Sequence, residues 1–331
     1  MNTSLSTCLR KLLTAAALGA FALAGPLAHA QAWPAKPIRI IVPYPPGSGT
    51  DIMARRLGQR LGDRLGQPFI VDNRAGAGGS IGTEAVAKSA PDGYTLGIVD
   101  TGALAINPAI YPKLGYDPLR DFVPVIEVSQ LPFMLVANPS LGVSTVGELI
   151  ALAKREPGRI NYASVGNGSA VHLATEMFKK QAGISLTHIP YKGSAPALTD
   201  VLAGTTPLMF VNLLSGLPHV RSGKLKVLAV GPSTRLSALP DVPTVAEAGL
   251  PGYDFQAWIG IIAPAGTPTA IVDRLNSEIR SALTVAEIRD QLVNEGGMQI
   301  VGGSAAQFGS HLAGDIDHWR KVVKETGAKL D

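Results

Sequence analysis

The chain has 331 residues, with 29 Lys and Arg against 25 Asp and Glu and a formal charge of +4. Its basic residues form no stripe with interleaved aromatics, which excludes the electrostatic footprint of a nucleic-acid binder. The single cysteine, Cys8, sits so early that a shortened chain would have no thiol for disulfides, thiolate–metal sites or a cysteine nucleophile.

In chain order, residues 1–30 read as an export leader. Arg10 and Lys11 precede an apolar run from Leu12 to Leu27, and Ala28-His29-Ala30 is a small-x-small cleavage pattern. The run is shorter than the roughly twenty residues that span a bilayer, so cleavage after Ala30 and a periplasmic destination are expected. The remaining 301 residues, 27 basic and 25 acidic, suffice for two α/β domains. The 37 Gly and 25 Pro of the full chain are set among apolar runs and mark turns, not disorder.

Periodicity then predicts a strand at Ile38–Val42, a helix at Ile52–Leu65, a strand at Pro68–Val71, a helix at Ile81–Lys88 and a strand at Thr95–Val99. The scheme repeats as Phe133–Ala137, helix Val146–Arg155, Ile160–Ala163, helix Ala170–Gln181, Leu186–Ile189, helix Pro196–Leu202, Leu208–Val211 and Leu225–Val230. A strand over Phe255–Ala263 and helices from near Pro268 and Val285 follow, with Thr145-Val-Gly-Glu148, Thr267-Pro268 and Thr284-Val-Ala-Glu287 as start signals. Strands alternating with helices argue for parallel sheet covered on both faces. Two α/β lobes are expected, residues 31–130 with 255–331 and residues 131–254. Segments near Pro124–Leu131 and Tyr253–Ile261 would cross between them, leaving a cleft as the default ligand site.

Two turns could hold an anion there. Tyr44-Pro-Pro-Gly47-Ser48-Gly49-Thr50-Asp51 carries a strand into a helix, and Gly166-Asn167-Gly168-Ser169 does the same before a helix containing His172. A helix start offers about four unpaired N–H donors and a positive dipole end, suited to a carboxylate or phosphate. The same residues also read as tight turns with Ser48, Thr50 or Ser169 as helix caps, and His172 also reads as a packing residue. Lys192-Gly193 offers a point charge before a further helix, although a solvated loop lysine is an ordinary alternative. Asp100, Thr101 and Asn212 stand at strand ends where cleft residues belong, or where turn chemistry does.

Enzyme signatures fit poorly. Gly78-Gly-Ser80-Ile-Gly82 has the G-x-S-x-G spacing, but a glycine-rich loop separates Ser80 from the preceding strand. Gly76-Ala-Gly78 lacks the third glycine of a dinucleotide fingerprint, and Gly47-Ser-Gly49 lacks the Lys-Ser/Thr of a phosphate loop. His172, His188, His219, His311 and His318 have no metal-ligand spacing. No catalytic residue, metal or cofactor is assigned.

Several motifs carry a resemblance across essentially the whole mature chain. They are Trp33-Pro34 with Lys36-Pro37-Ile38, Pro43 to Asp51, Asn73-Arg-Ala-Gly-Ala-Gly-Gly-Ser-Ile-Gly82, Asp92-Gly-Tyr-Thr95, Tyr116-Asp-Pro118 with Asp121-Phe122, and the stretches Asn161–His172 and His188–Asp200. In these the chain resembles the Bug family, the extracytoplasmic substrate-binding proteins of tripartite tricarboxylate transporters. The resemblance implies a two-lobed Venus-flytrap of the type II periplasmic-binding-protein fold. It also implies a carboxylated solute held through backbone and water-mediated contacts, monomeric action, and membrane transporter subunits as partners. Ser48 stands where relatives commonly have glycine, and Val211 precedes Asn212 where an acidic residue is common. A ligand-presenting sensor for a membrane signalling partner, and a serine hydrolase using Ser80, are the competing functions.

Overall fold

A computed structural model describes residues 33–294 and 298–326; the expected leader lies outside the described residues. The chain divides into two units, Met1–Ala35 and Lys36–Asp331. Of the first only residues 33–35 are described, and all that follows concerns the second.

The chain opens with β1 (Ile38–Val42), α1 (Gly49–Leu65), β2 (Phe69–Asn73), α2 (Ser80–Ala87) and β3 (Thr95–Asp100). In α1 the buried Met53, Ala54, Leu57 and Leu61 recur every three or four residues, and Gly66 ends the helix in the left-handed conformation. The short α3 (Asn107–Ile110) leads to β4 (Phe122–Ala137), the longest strand. Next come α4 (Val146–Arg155), β5 (Asn161–Ser164), α5 (Ala170–Ala182), β6 (Thr187–Pro190), α6 (Ser194–Ala203), β7 (Leu208–Asn212), α7 (Leu213–Arg221) and β8 (Lys226–Val230). The chain returns through β9 (Gln256–Pro264), α8 (Thr269–Leu283), α9 (Ala286–Arg289), β10 (Gln299–Gly302) and α10 (Ala305–Thr326).

Among the described residues these strands form one sheet in the order β2-β1-β3-β9-β4-β7-β5-β6, with β8 and β10 also paired to β4. The parallel arrangement expected from the sequence holds for β1 with β2 and β3, and for β5 with β6 and β7. It fails in the middle, where β9 runs antiparallel to β3 and β4, and β4 antiparallel to β7. The reason is that β4 carries the chain outward along two sheet halves and β9 carries it back. Their pairing runs from Phe122–Pro264 to Pro132–Gln256, with register shifts after Pro124 and Glu127. Pro124 has no N–H to give the ladder, so an irregularity there is the ordinary outcome.

α10 lies against this seam. Trp258 meets Phe308 edge to face at 5.2 Å and donates from Nε1 to Asp315 Oδ2 at 2.7 Å. Phe308 can approach because Gly260 has no side chain, and a β-carbon there would lie 2.3 Å from its ring. Further along, Trp319 packs edge-on against Phe255 at 6.0 Å.

One reading needs correction, and two helices were not anticipated. Thr284 does not cap α9; its hydroxyl donates back to the Ser281 carbonyl, and the helix is four residues long. α7 was unanticipated because Pro218 lies inside it. α10 was also unanticipated, although Phe308, Leu312, Ile316 and Trp319 supply a buried stripe.

Candidate functional site

Both glycine-rich turns are built as helix starts. Ser48 caps α1 by accepting from the Asp51 amide at 3.2 Å, while Asp51 Oδ2 accepts from the Gly47 amide at 2.9 Å. Asp51 Oδ1 takes the Asn73 side-chain amide at 2.9 Å, and Arg55 adds an ion pair at 3.0 Å. Burial pushes this carboxyl up, but the Arg55, Gly47 and Asn73 hydrogen bonds outweigh burial and hold it below the usual carboxylate range.

The second turn is tied from behind. Ser169 caps α5 by accepting from the His172 amide at 3.3 Å and donates to the Gly166 carbonyl at 2.7 Å. His172 Nδ1 accepts from the Gly168 amide at 3.2 Å, and its ring stacks on His188 at 4.3 Å. The φ angles of Gly166 (122°) and Gly168 (76°) lie where only glycine sits without strain.

Residues of the two turns line a pair of neighbouring cavities. The inner one, about 40 Å³, is lined by Ser48, Gly49 and Thr50 at the start of α1, Ser169, Ala170 and Val171 at the start of α5, Ser194 at the start of α6, and Asn212, the cap of α7. Leu131, Phe133 and Val165 wall it, and Asp100 and Tyr44 close one side. The outer cavity, about 660 Å³, shares Tyr44 and Val165 and adds Pro45, Ala75 to Gly79, Tyr111, Gly166, Asn167, and Pro190 to Gly193. Lys192 is the charged side chain in that outer lining. Helix starts thus ring the narrow end, while the wide end is largely apolar with one cation.

At the narrow end Tyr44 Oη donates to Asp100 Oδ1 at 2.7 Å, and the Ala103 amide donates to the same oxygen at 3.1 Å. Burial raises the Asp100 carboxyl above its ordinary value despite these bonds. Burial, with Asp100 adding, raises the Tyr44 phenol well above the usual tyrosine range, so it keeps its proton.

Of the residues singled out from sequence, Tyr44, Ser48, Gly49, Thr50, Asp100, Gly166, Asn167, Ser169, Lys192, Gly193 and Asn212 come together in these linings. Gly47, Asp51, Thr101, Gly168 and His172 are not in either lining. Asp51 and His172 brace the turns as described, and Thr101 Oγ1 accepts from the Trp258 amide at 2.8 Å, fastening β9. Sequence reasoning missed the Ala75–Gly79 wall, Tyr111 and Tyr191. The glycine run Gly76, Gly78, Gly79 was the available signal for the first, and the stretch His188–Asp200 contains Tyr191; nothing marked Tyr111.

Contacts bridge the cavity mouth. Tyr111 Oη donates to the Asn167 carbonyl at 3.2 Å. A β-carbon on Gly193 would lie 2.4 Å from Pro45 Cγ, and one on Gly78 2.9 Å from the Asn167 carbonyl oxygen. Ser80, the hydrolase candidate, accepts from Asn107 Nδ2 at 3.0 Å. It follows the 3₁₀ turn Ala77–Gly79, not a strand, and no base is among its hydrogen-bond partners in the described residues. Nor do those residues contain a group of three or more His, Cys, Asp or Glu placed to hold a metal.

A two-lobed α/β body with its cavity ringed by helix starts defines a solute-binding protein of the flytrap class. The profile of the tripartite tricarboxylate transporter family receptor matches residues 53–328, and the chain belongs to that family. It is 43% identical to BugT of Bordetella pertussis over 302 residues, covering 91% of this chain and 92% of BugT. Among solved structures it is similar to an R. palustris protein with adipate, at TM-score 0.87 and 39% identity over 90% of this chain and 99% of that one. It is also similar to MatC from Rhodopseudomonas palustris with bound malate, at TM-score 0.84 and 31% identity over 88% and 100%. The family and these neighbours are substrate-binding proteins, not enzymes.

Proposed function

We propose that the protein captures a small carboxylate-bearing solute between two lobes, residues 31–130 with 255–331 and residues 131–254, and delivers it to a tripartite tricarboxylate-type transporter. The observation that carries this reading is the narrow chamber flanked by the starts of α1 and α5, one from each sheet half. A carboxylate there takes orphan helix amides from both halves, so the ligand favours the closed arrangement over the open one. The rest of the solute lies in the outer cavity, with Lys192 available to a second acidic group. Adipate and malate in two relatives support a carboxylate. No bond need be made or broken, and the protein acts without catalysis.

Capture outside the cytoplasm fits the leader pattern, and no described helix is long and apolar enough to cross a membrane. A thermal-shift screen with mono-, di- and tricarboxylates tests the reading. A ligand at a hundred times its Kd adds about 2.7 kcal/mol, a rise of roughly 5 °C. A screen in which only uncharged sugars or amides shift the transition would overturn it.

A further inference from the structure

The peptide unit between Asn167 and Gly168 is held from two sides. Its carbonyl accepts from Tyr111 Oη at 3.2 Å across the cavity mouth, and its N–H donates to His172 Nδ1 at 3.2 Å within the second turn. A peptide is planar, so neither end turns without the other. An imidazole that accepts at Nδ1 is neutral and carries its hydrogen on Nε2.

The surroundings of that ring decide where a second proton would go. His172 Nε2 lies 4.0 Å from Glu176 Oε1, which also accepts from Tyr162 Oη at 2.5 Å and Lys179 Nζ at 2.6 Å. The His172 ring stacks on His188 at 4.3 Å, and His188 stacks on Tyr162 at 4.9 Å and meets Ser164 Oγ through Nε2 at 2.6 Å. The groups facing His172 are thus Glu176 and Lys179 from α5, His188 from β6 and Tyr162 from β5. Two stacked imidazolium rings repel each other, so the pair takes up one proton first, and the Glu176 carboxylate favours it on His172.

That proton goes to Nδ1, where it confronts the Gly168 N–H, donor against donor. His172 is buried and its ring is pinned by the stack, so the peptide is the part free to turn. Its rotation changes ψ of Asn167 and φ of Gly168, which stands at 76° and, as a glycine, accepts the opposite sign equally well. The carbonyl swings with the N–H and lets go of Tyr111. α5 keeps its Ser169 cap, which does not involve the imidazole.

We propose that His172 is a proton-sensitive positioning residue: neutral, it sets the 167–168 peptide for closure by Tyr111, and protonated, it turns that peptide and loosens the hold on the solute. The inference rests on the solute-binding reading above and adds a release device to the same site.

The test is calorimetric titration of adipate and of malate between pH 8 and pH 6 into the wild type, His172→Asn, His172→Gln and Tyr111→Phe, with melting curves to show that each variant is folded. Asparagine places Oδ1 where Nδ1 stood and does not titrate, whereas glutamine places its amide at the position of Nε2. At pH 8 His172→Asn should bind within about twofold of the wild type and His172→Gln about fivefold more weakly, the scale of one neutral hydrogen bond. On acidification the wild type should lose about fivefold more affinity than His172→Asn; the acids' own titration is common to both proteins and cancels. Tyr111→Phe should bind about fivefold more weakly at pH 8 and lack the extra acid sensitivity, because the contact that the proton releases is already gone.

Parallel pH profiles in the wild type and His172→Asn, equal binding by the Asn and Gln variants at pH 8, or undiminished acid sensitivity in Tyr111→Phe would each overturn the proposal and leave carboxylate binding in place. Should His172→Asn fail to fold, the Tyr111→Phe profile decides. Nitrogen-15 spectra of the imidazoles, recorded without solute, add a measurement that needs no ligand: His172 with Nδ1 bare and Nε2 protonated at pH 8 supports the positioning role, and a proton on Nδ1 overturns it. Failure of both acids to bind, together with a negative carboxylate screen, would instead remove the proposed function, and the spectra would still decide what His172 does to the turn.

Discussion

Gly193→Ala separates the closing of the cavity from the stability of the fold. Gly193 has φ 137° and ψ 178°, a backbone conformation that a side chain makes costly by about 1–3 kcal/mol whether the cavity is open or shut. The new methyl would also lie 2.4 Å from Pro45 Cγ and 2.8 Å from its Cδ. Ordinary contact requires the two loops to part by about 1 Å, a small-to-large clash of the kind that costs roughly 1–3 kcal/mol. That second cost exists only while the loops touch, so it enters ligand affinity as a factor of about 5 to 150. The first should lower the melting temperature of the ligand-free protein by a few degrees, at roughly 2 °C per kcal/mol for a chain of this size. Titration of a carboxylate by calorimetry measures the affinity term, and ligand-free melting curves measure the strain. Pro45→Ala in the Gly193→Ala background removes Cγ and Cδ, and should restore affinity while leaving the melting temperature low. Wild-type affinity in Gly193→Ala, or a double variant that binds no better than Gly193→Ala alone, would refute the closure argument.

Asp51→Ala should cost about 1–3 kcal/mol in urea titrations, because the Gly47 amide and the Asn73 carboxamide lose their acceptor. Since the folded-state carboxyl is held below its ordinary value, its contribution is full above about pH 4 and is lost as pH falls through the folded pKa, so Asp51→Asn should show a flatter acid limb. His311, raised above the ordinary histidine value first by its hydrogen bond to Glu127 at 2.7 Å and against burial, behaves oppositely. Its contribution is complete below about pH 6.5 and declines as pH rises through the folded pKa; melting temperature against pH should lose that slope in His311→Gln. Ser80→Ala should leave carboxylate affinity unchanged and cost about 1 kcal/mol through the Asn107 contact. An ester-hydrolysis rate that disappeared in this variant would restore the enzyme reading.

What could be read from the sequence divides by the range of the interactions involved. β1 and α4 fall on the residues predicted, because the apolar run Ile38–Val42 and the Thr145–Glu148 start signal are local. The two anion-ready turns were legible for the same reason, their caps and glycines lying within a few residues. Asp51 and His172 were read as candidate ligand contacts, His172 also as a packing residue, because charge and hydrogen-bonding capacity show in sequence. Whether those groups face the cavity or secure the turn from behind depends on partners such as Asn73 and His188, found only after folding. The antiparallel centre was hidden because strand direction is not a property of composition.

The glycines on the two sides of the cavity make the sharper case. In sequence, Gly78, Gly168 and Gly193 look like ordinary turn formers, and their φ angles of 60°, 76° and 137° bear that out. Each has a second role that only the folded chain displays: added β-carbons would lie 2.9 Å from the Asn167 carbonyl oxygen, 3.2 Å from the Tyr111 ring and 2.4 Å from Pro45. Backbone therefore meets backbone or ring directly across the mouth, without side chains to hold the halves apart. Such contacts are individually worth little, and a pair of halves that meet through them closes only weakly alone. The narrow chamber, with helix amides from both halves awaiting an acceptor, supplies what is lacking. A solute bound there adds differential free energy to a closure that the glycines permit but do not enforce.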